Sequence, residues 1–179
     1  MAITITEALA ELKTIDKRLS KKKEYVGRNL FRLEQMKDPL ANDGGSVEVV
    51  KRELQAIKDL EERKVAIRRA IRKANDDTTI TVGTQSRSMA DWLAWRRDVL
   101  PSRKEYFRIL TSTIEAQRRQ GVNKNSKVVS PGEEAKPNDV LIHLSETDLA
   151  RWVEELEEIE GALDGQLSLK NATVVIEVG

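Results

Sequence analysis

A chain of 179 residues is long enough for one domain with a real core, or for an elongated hairpin carrying a smaller head. Charged residues make up 34% and aromatics 4%, a balance that suits helical bundles and coiled coils over an aromatic-lined cleft, and the net charge of +1 speaks against a dedicated nucleic-acid binder. The lack of cysteine excludes a disulfide framework and thiol chemistry. No apolar run nears the roughly 18 residues of a bilayer span and no signal-peptide pattern opens the chain, so cytoplasmic synthesis without membrane insertion is the expectation.

Two long amphipathic segments, Thr4–Lys37 and Ser46–Lys73, organise the rest. In the first, Ile5, Leu12, Leu19, Val26 and Leu33 recur every seven residues, with Ala8, Ile15 and Met36 three further on and Leu9 and Leu30 at the four-residue offset. A seven-residue repeat keeps one seam towards a partner helix. Thr4 and Glu7 have capping-box spacing. Lys22 and Asn29 fall where the seam should be apolar, and Gly27 weakens it by about 1 kcal/mol relative to Ala. The breaker run from Asp38 to Gly45 follows, then Ser46 as the predicted N-cap of a second helix. Its face is Val50, Leu54, Ile57, Leu60, Ile67, Ile71 and Ala74, interrupted by Lys64. The pair reads as an antiparallel hairpin over residues 1–75, which cannot cover its own flanks and needs a third helix or another copy of itself.

In the remainder, 76–179, Thr78–Val82 is β-branched throughout and predicts a short strand ending at Gly83. Ser88, with Asp91 three later, caps a helix Met89–Gln120 stopped by Gly121, with a kink or break near Leu100 because Pro101 lacks an N–H. Ser102 is placed to cap a restarted helix. Trp92, Trp95, Tyr106 and Phe107 lie here, so this helix is the one expected to pack on the hairpin. Residues 122–138 read as a flexible loop, and Val140–Leu144 as a strand. Ser145 caps a fourth helix with Asp148 at its third position, Gly165 ends it, and Ala172–Val178 is a tail strand. The fold class is mainly α with minor β: a long antiparallel hairpin, a third and fourth helix, and a small β element built from the short strands.

The order of features resembles the bacterial and phage family described as septicolysin-like. The likeness rests on Ile71-Arg72-Lys73-Ala74-Asn75 after the hairpin and on Ser88-Met89-Ala90-Asp91-Trp92-Leu93 opening the next helix. It continues through Arg96-Arg97-Asp98-Val99-Leu100 to Leu163-Asp164-Gly165-Gln166 and Asn171-Ala172-Thr173-Val174 near the end. It implies a helical, oligomerising protein without assigned catalytic residues. Pro101 departs from the continuous helix the family implies.

No constellation of residues carries a reaction, so no catalytic residue, metal or cofactor is expected. His143 stands alone in an apolar run, without the partners of a triad or zinc site. Glu154, Glu155, Glu157, Glu158 and Glu160 flank an apolar stripe and read as a solvated or partner-facing acidic face. The glycines form no phosphate-cradling loop. The candidate phosphate- or partner-binding residues are Lys21, Lys22, Lys23, Arg68, Arg69 and Arg72, since antiparallel pairing is expected to bring Lys21–Lys23 beside Arg63–Arg68. Interleaved glutamates and the lack of a stacking aromatic weigh against nucleic acid. Trp92, Trp95 and Trp152 are candidate interface anchors, although their helical spacing to Leu and Val favours core packing, and Val174 and Ile176 belong to an edge strand open to a neighbouring chain. The expected role is a homo-oligomeric scaffold or adaptor meeting other structural proteins of an assembly, of which a tailed-phage virion is one; the alternative is a nucleic-acid-associated protein using the basic mid-hairpin surface.

Overall fold

A computed structural model describes residues 1–123 and 126–179 and is mainly α with minor β. The chain forms two compact units, one of Met1–Asp77 with Ser168–Gly179, the other of Thr78–Leu167. The C-terminal residues thus belong with the hairpin.

In that unit α1 (Ile5–Arg28) and α2 (Ser46–Asp77) form the antiparallel hairpin. Thr4 and Glu7 close the capping box in both directions, at 3.2 Å and 2.7 Å. Ile5, Ala8, Leu12, Ile15 and Leu19 are buried, as are Val49, Ile57 and Ile67 of α2. Leu54, expected in the seam, is exposed, and Val49 takes the buried place. The seam's polar positions are answered across it. Lys22 Nζ meets Glu53 at 2.6 Å, and Lys64 Nζ meets Asp16 at 2.5 Å. Arg63 holds Glu11 with two guanidinium nitrogens, at 2.9 and 3.3 Å.

The first helix stops at Arg28 and does not reach Lys37. Gly27 lowers its propensity there. Asn29 then takes up the last carbonyls, its side-chain amide donating to Tyr25 O at 2.9 Å and its backbone N–H to Tyr25 and Val26. Arg32 donates to the carbonyls of Leu33, Glu34 and Met36, which fixes the following turn. Leu30, Leu33 and Met36 are therefore exposed rather than in the seam. Gly44 and Gly45 bring the chain round with φ of 100° and 88°, a region costly for other residues.

Ser46 is the first residue of α2 rather than its cap; the cap is supplied by Asp38. One Asp38 oxygen accepts Ser46 N–H at 2.8 Å, and the other accepts Leu40 N–H at 2.9 Å and the Ser46 hydroxyl. These donors, Ser46 first among them, pull the carboxyl down to about 2. A folded pKa below the unfolded one contributes stability above the unfolded pKa, near 4, that is lost as pH falls through the folded value. The tip is therefore expected to hold at pH 4 and loosen towards pH 2. Amide exchange at Leu40 and Ser46 followed against pH checks this, and loosening already centred near pH 4 would show that these bonds are not made.

The short strands make three two-stranded sheets, not one. β1 (Ala2–Thr4) pairs antiparallel with β6 (Val175–Glu177), Ile3 opposite Ile176. The tail strand thus has its partner within the chain, and Ile176 and Val178 are buried.

In the second unit β2 (Thr79–Val82) turns at Gly83, φ 56°, into β3 (Gln85–Ser88). Ser88 caps α3 (Met89–Ala94), with Asp91 N–H donating to its hydroxyl at 3.0 Å. A π turn (Trp95–Val99) leads straight into α4 (Leu100–Asn123). Pro101 does not break the helix. The wider turn takes up the lost i to i−4 bond and the ring's bulk, Leu100 N–H reaching back five residues to Trp95 O. Ser102 is helical. Gly121 is also helical rather than a cap, and a Cβ there would sit 2.8 Å from Ser126 O, so glycine permits the chain's close return.

The stretch 122–138, expected as a flexible loop, is partly paired; Lys124 and Asn125 lie outside the described residues. β4 (Val128–Val129) pairs parallel with β5 (Val140–Leu141). Asp139 accepts the N–H groups of Lys136 and Lys127 at 2.8 and 2.9 Å, which holds its carboxyl below the usual range. β5 is shorter than Val140–Leu144, and His143 is exposed. α5 (Glu146–Thr173) starts as predicted, Asp148 N–H on Ser145 Oγ at 3.3 Å. It runs through Gly165, because Leu163 and Leu167 are buried on either side.

Candidate functional site

The side chains whose ionisation is displaced are explained by local bonds. Glu7 and Asp38 are lowered by the helix starts they cap. Glu105 is lowered and Arg108 raised by their mutual pairing within α4, and Asp98 and Arg97 likewise on the π turn. Among the described residues no group of three His, Asp or Glu could hold a metal ion, and no described helix is long and apolar enough to cross a membrane. The candidate sites are surfaces.

The mid-hairpin basic cluster is not assembled as expected. The register puts Lys22 against Glu53 and Lys23 against Glu61, at 2.6 and 3.0 Å, so Lys21–Lys23 lie beside the Glu53–Glu61 turns rather than beside Arg63–Arg68. Arg68, Arg69 and Arg72 are exposed further along α2, and Lys21 faces solvent on α1. Opposite charges interleave, so no continuous cationic track runs past mid-hairpin.

At the hairpin tip, Leu30, Phe31, Leu33, Met36 and Val47 are all exposed, Phe31 at 84%. Leu30, Phe31 and Val47 line a shallow hollow of about 310 Å³ with Pro39 and Val50. Arg32, bonded to three carbonyls of the same turn, fixes this segment, so the apolar groups are displayed on a built loop.

In the second unit, α4 faces α5 through side chains. Arg96 of the π turn pairs with Asp164 at 3.0 Å, and α4 contributes Lys104 to Glu160 at 2.5 Å and Arg118 to Glu146 at 2.6 Å. Phe107 stacks on Trp152 with centroids 6.4 Å apart and planes at 25°. Between these links the helices stand apart. A groove of about 430 Å³ is floored by Phe107, Thr111, Val153 and Leu156 and rimmed by Lys104, Arg108 and Glu157. It is followed by a second hollow of about 370 Å³ that Ile114, Leu149 and Ala150 help line. Of the described α4 side chains only Leu100 is buried, while Tyr106 and Ile109 are about half exposed.

The predicted interface anchors divide. Trp92 is a core residue, 1% exposed, its indole N–H donating to Ile80 O at 3.0 Å, and Ile176 is buried, opposite Ile3 of β1; neither is offered to a partner. Trp95 is half-buried, edge-on to Trp92 at 5.6 Å. Val174 is half-buried, and its carbonyl accepts Ile5 N–H at 3.1 Å. Trp152, 38% exposed, is the one anchor lying beside a groove. The groove itself went unread in the sequence. Its signal was the contrast between a basic α4 and an acidic α5 combined with the seven-residue spacing of Leu100, Phe107 and Ile114.

No family model matches the chain, and no curated protein does. Among solved structures it is similar to the crystal structure of a functionally unknown conserved protein from Corynebacterium diphtheriae, at 16% identity over 99% of this chain and 100% of that one, with a TM-score of 0.55. At that identity the likeness is one of fold.

Proposed function

We propose that this chain is a non-enzymatic scaffold or adaptor that acts by assembling with copies of itself. The observation that carries the reading is apolar surface held out on well-hydrogen-bonded elements: the tip cluster around Phe31, and α4, which buries only Leu100 among its described side chains. Contiguous exposed apolar groups on a soluble chain mark association surfaces. A helix pair open on one face is completed most simply by another helix pair. The composition fits such a role, since a third of the residues are charged and cysteine is absent. A repetitive assembly such as a tailed-phage virion is the setting it suits.

Absolute mass by light scattering after size exclusion, at low and high salt, tests the reading. A defined multiple of 20.3 kDa that persists in high salt is the expected result, because apolar contacts survive screening. A monomer at every concentration and salt overturns it.

A further inference from the structure

We propose that the α4–α5 face of the second unit is a self-complementary dimer interface, closed by the same face of a second copy around a two-fold axis running along the helices. The inference rests on the self-assembly reading above and specifies where and how the copies meet.

Charge selects both the occupant and the symmetry. α4 carries five cationic and two anionic side chains, and α5 as far as Leu167 carries eight anionic and one cationic. The difference reaches the groove, where Lys104 and Arg108 outnumber Glu115 on the α4 side and Glu157 stands on the α5 side. Two antiparallel helices with opposite charge make a layer that matches itself. Stacking two such layers by a two-fold axis along the helices sets α4 of each copy over α5 of the other, antiparallel. Every neighbouring pair in the resulting four-helix bundle is then antiparallel and oppositely charged. The other stacking, with the axis across the helices, sets α5 on α5 and brings eight carboxylates against eight.

An axis along the helices also preserves height. Arg108 and Glu157, which line the same groove within one copy, lie at one level, so Arg108 of each copy meets Glu157 of the other. Phe107, Thr111, Val153 and Leu156 then receive the partner's apolar groups. The face is about 36 Å long at 1.5 Å per residue and roughly 20 Å wide, near the ~800 Å² per partner of a standard interface.

The test uses the full chain and two single substitutions at exposed positions, Arg108→Glu and Glu157→Arg, with helicity by circular dichroism as the folding control. Each variant alone sets two like-charge contacts into its own dimer and is expected to dissociate on the order of 10- to 100-fold more readily than wild type. An equal mixture of the two variants sets only opposite charges across the interface and is expected to recover the wild-type dissociation constant, read by sedimentation. Recovery on mixing separates contacts between copies from contacts inside one chain. Variants weakened without recovery on mixing, or tighter association by Arg108→Glu, overturn the proposed arrangement. A wild-type oligomer indifferent to both substitutions overturns this interface and leaves the scaffold reading standing. Assembly only with another protein, or a monomeric wild type, overturns both.

Discussion

Replacing Trp92 with Ala is expected to cost about 3–5 kcal/mol, the range for deleting a buried large aromatic. Trp92 is 1% exposed and is touched from three sides. Its indole N–H donates to Ile80 O at 3.0 Å and so fastens the β2–β3 hairpin to α3. The Trp95 ring meets it edge-on at 5.6 Å and 85°, a favoured aromatic geometry. The Arg87 guanidinium lies 5.0 Å from the ring centroid, placing a cation from β3 over the same side chain. Trp92→Phe keeps most of the apolar burial and loses the hydrogen bond, leaving Ile80 O without its donor; about 1–3 kcal/mol is expected. Urea unfolding, with amide exchange to localise the effect, is the measurement. Exchange should speed up first at Thr79–Ser88, the hairpin that Trp92 holds. A loss under about 1 kcal/mol for Trp92→Ala would mean that the tryptophan is not the keystone of this unit.

Trp92 also shows what a single sequence can and cannot disclose. Its helical spacing to Leu and Val residues favours core packing, and Trp92 is buried. Whether such a face is core or interface depends on what covers it, and the cover here is β3, Gln85-Ser86-Arg87-Ser88. Nothing in those four polar residues signals a strand; they pair because Gly83 turns β2 back on itself. β1 escaped notice for a related reason, being three residues long and gaining its partner from the far end of the chain. Helices were legible where capping and periodicity agreed, as at Thr4, Ser88 and Ser145. Their ends were not, because helix length is settled by competition. Asn29 and Arg32 offer the backbone other partners and end α1 early, while Leu163 and Leu167 carry α5 past Gly165. Lys22 and Lys64 looked like seam defects and turned out to be matched to Glu53 and Asp16 across it. Only the register between the helices reveals that pairing. The groove between α4 and α5 was hidden the same way, since each helix shows an excess of one charge and the complementarity exists only between them.

In β6, Ile176→Asp is expected to destabilise the hairpin unit by about 4 kcal/mol or more, since it sets a carboxylate without a partner among apolar groups. Ile176→Ala is expected to cost about 2–5 kcal/mol as a cavity. Val175→Asp, one residue away, is expected to change stability by less than about 0.5 kcal/mol. The contrast follows from the two-residue period of a strand. Ile176 and Val178 are 4% and 2% exposed, whereas Val175 is 60% exposed on the opposite side. The pairing of Ile3 with Ile176 places both isoleucines on the buried face. Val178 N–H then donates to Met1 O at 3.0 Å, and Arg63 Nη1 to Gly179 O at 3.0 Å, which extends the attachment past the strand's end. A slip of one residue would exchange the faces, so equal sensitivity at Val175 and Ile176 in urea unfolding would show that the register is wrong. The same variants bear on assembly. With β6 occupied by β1, Val175→Asp should leave the mass in solution unchanged. A fall in mass would mean instead that the outer face of this strand is where copies of the chain meet.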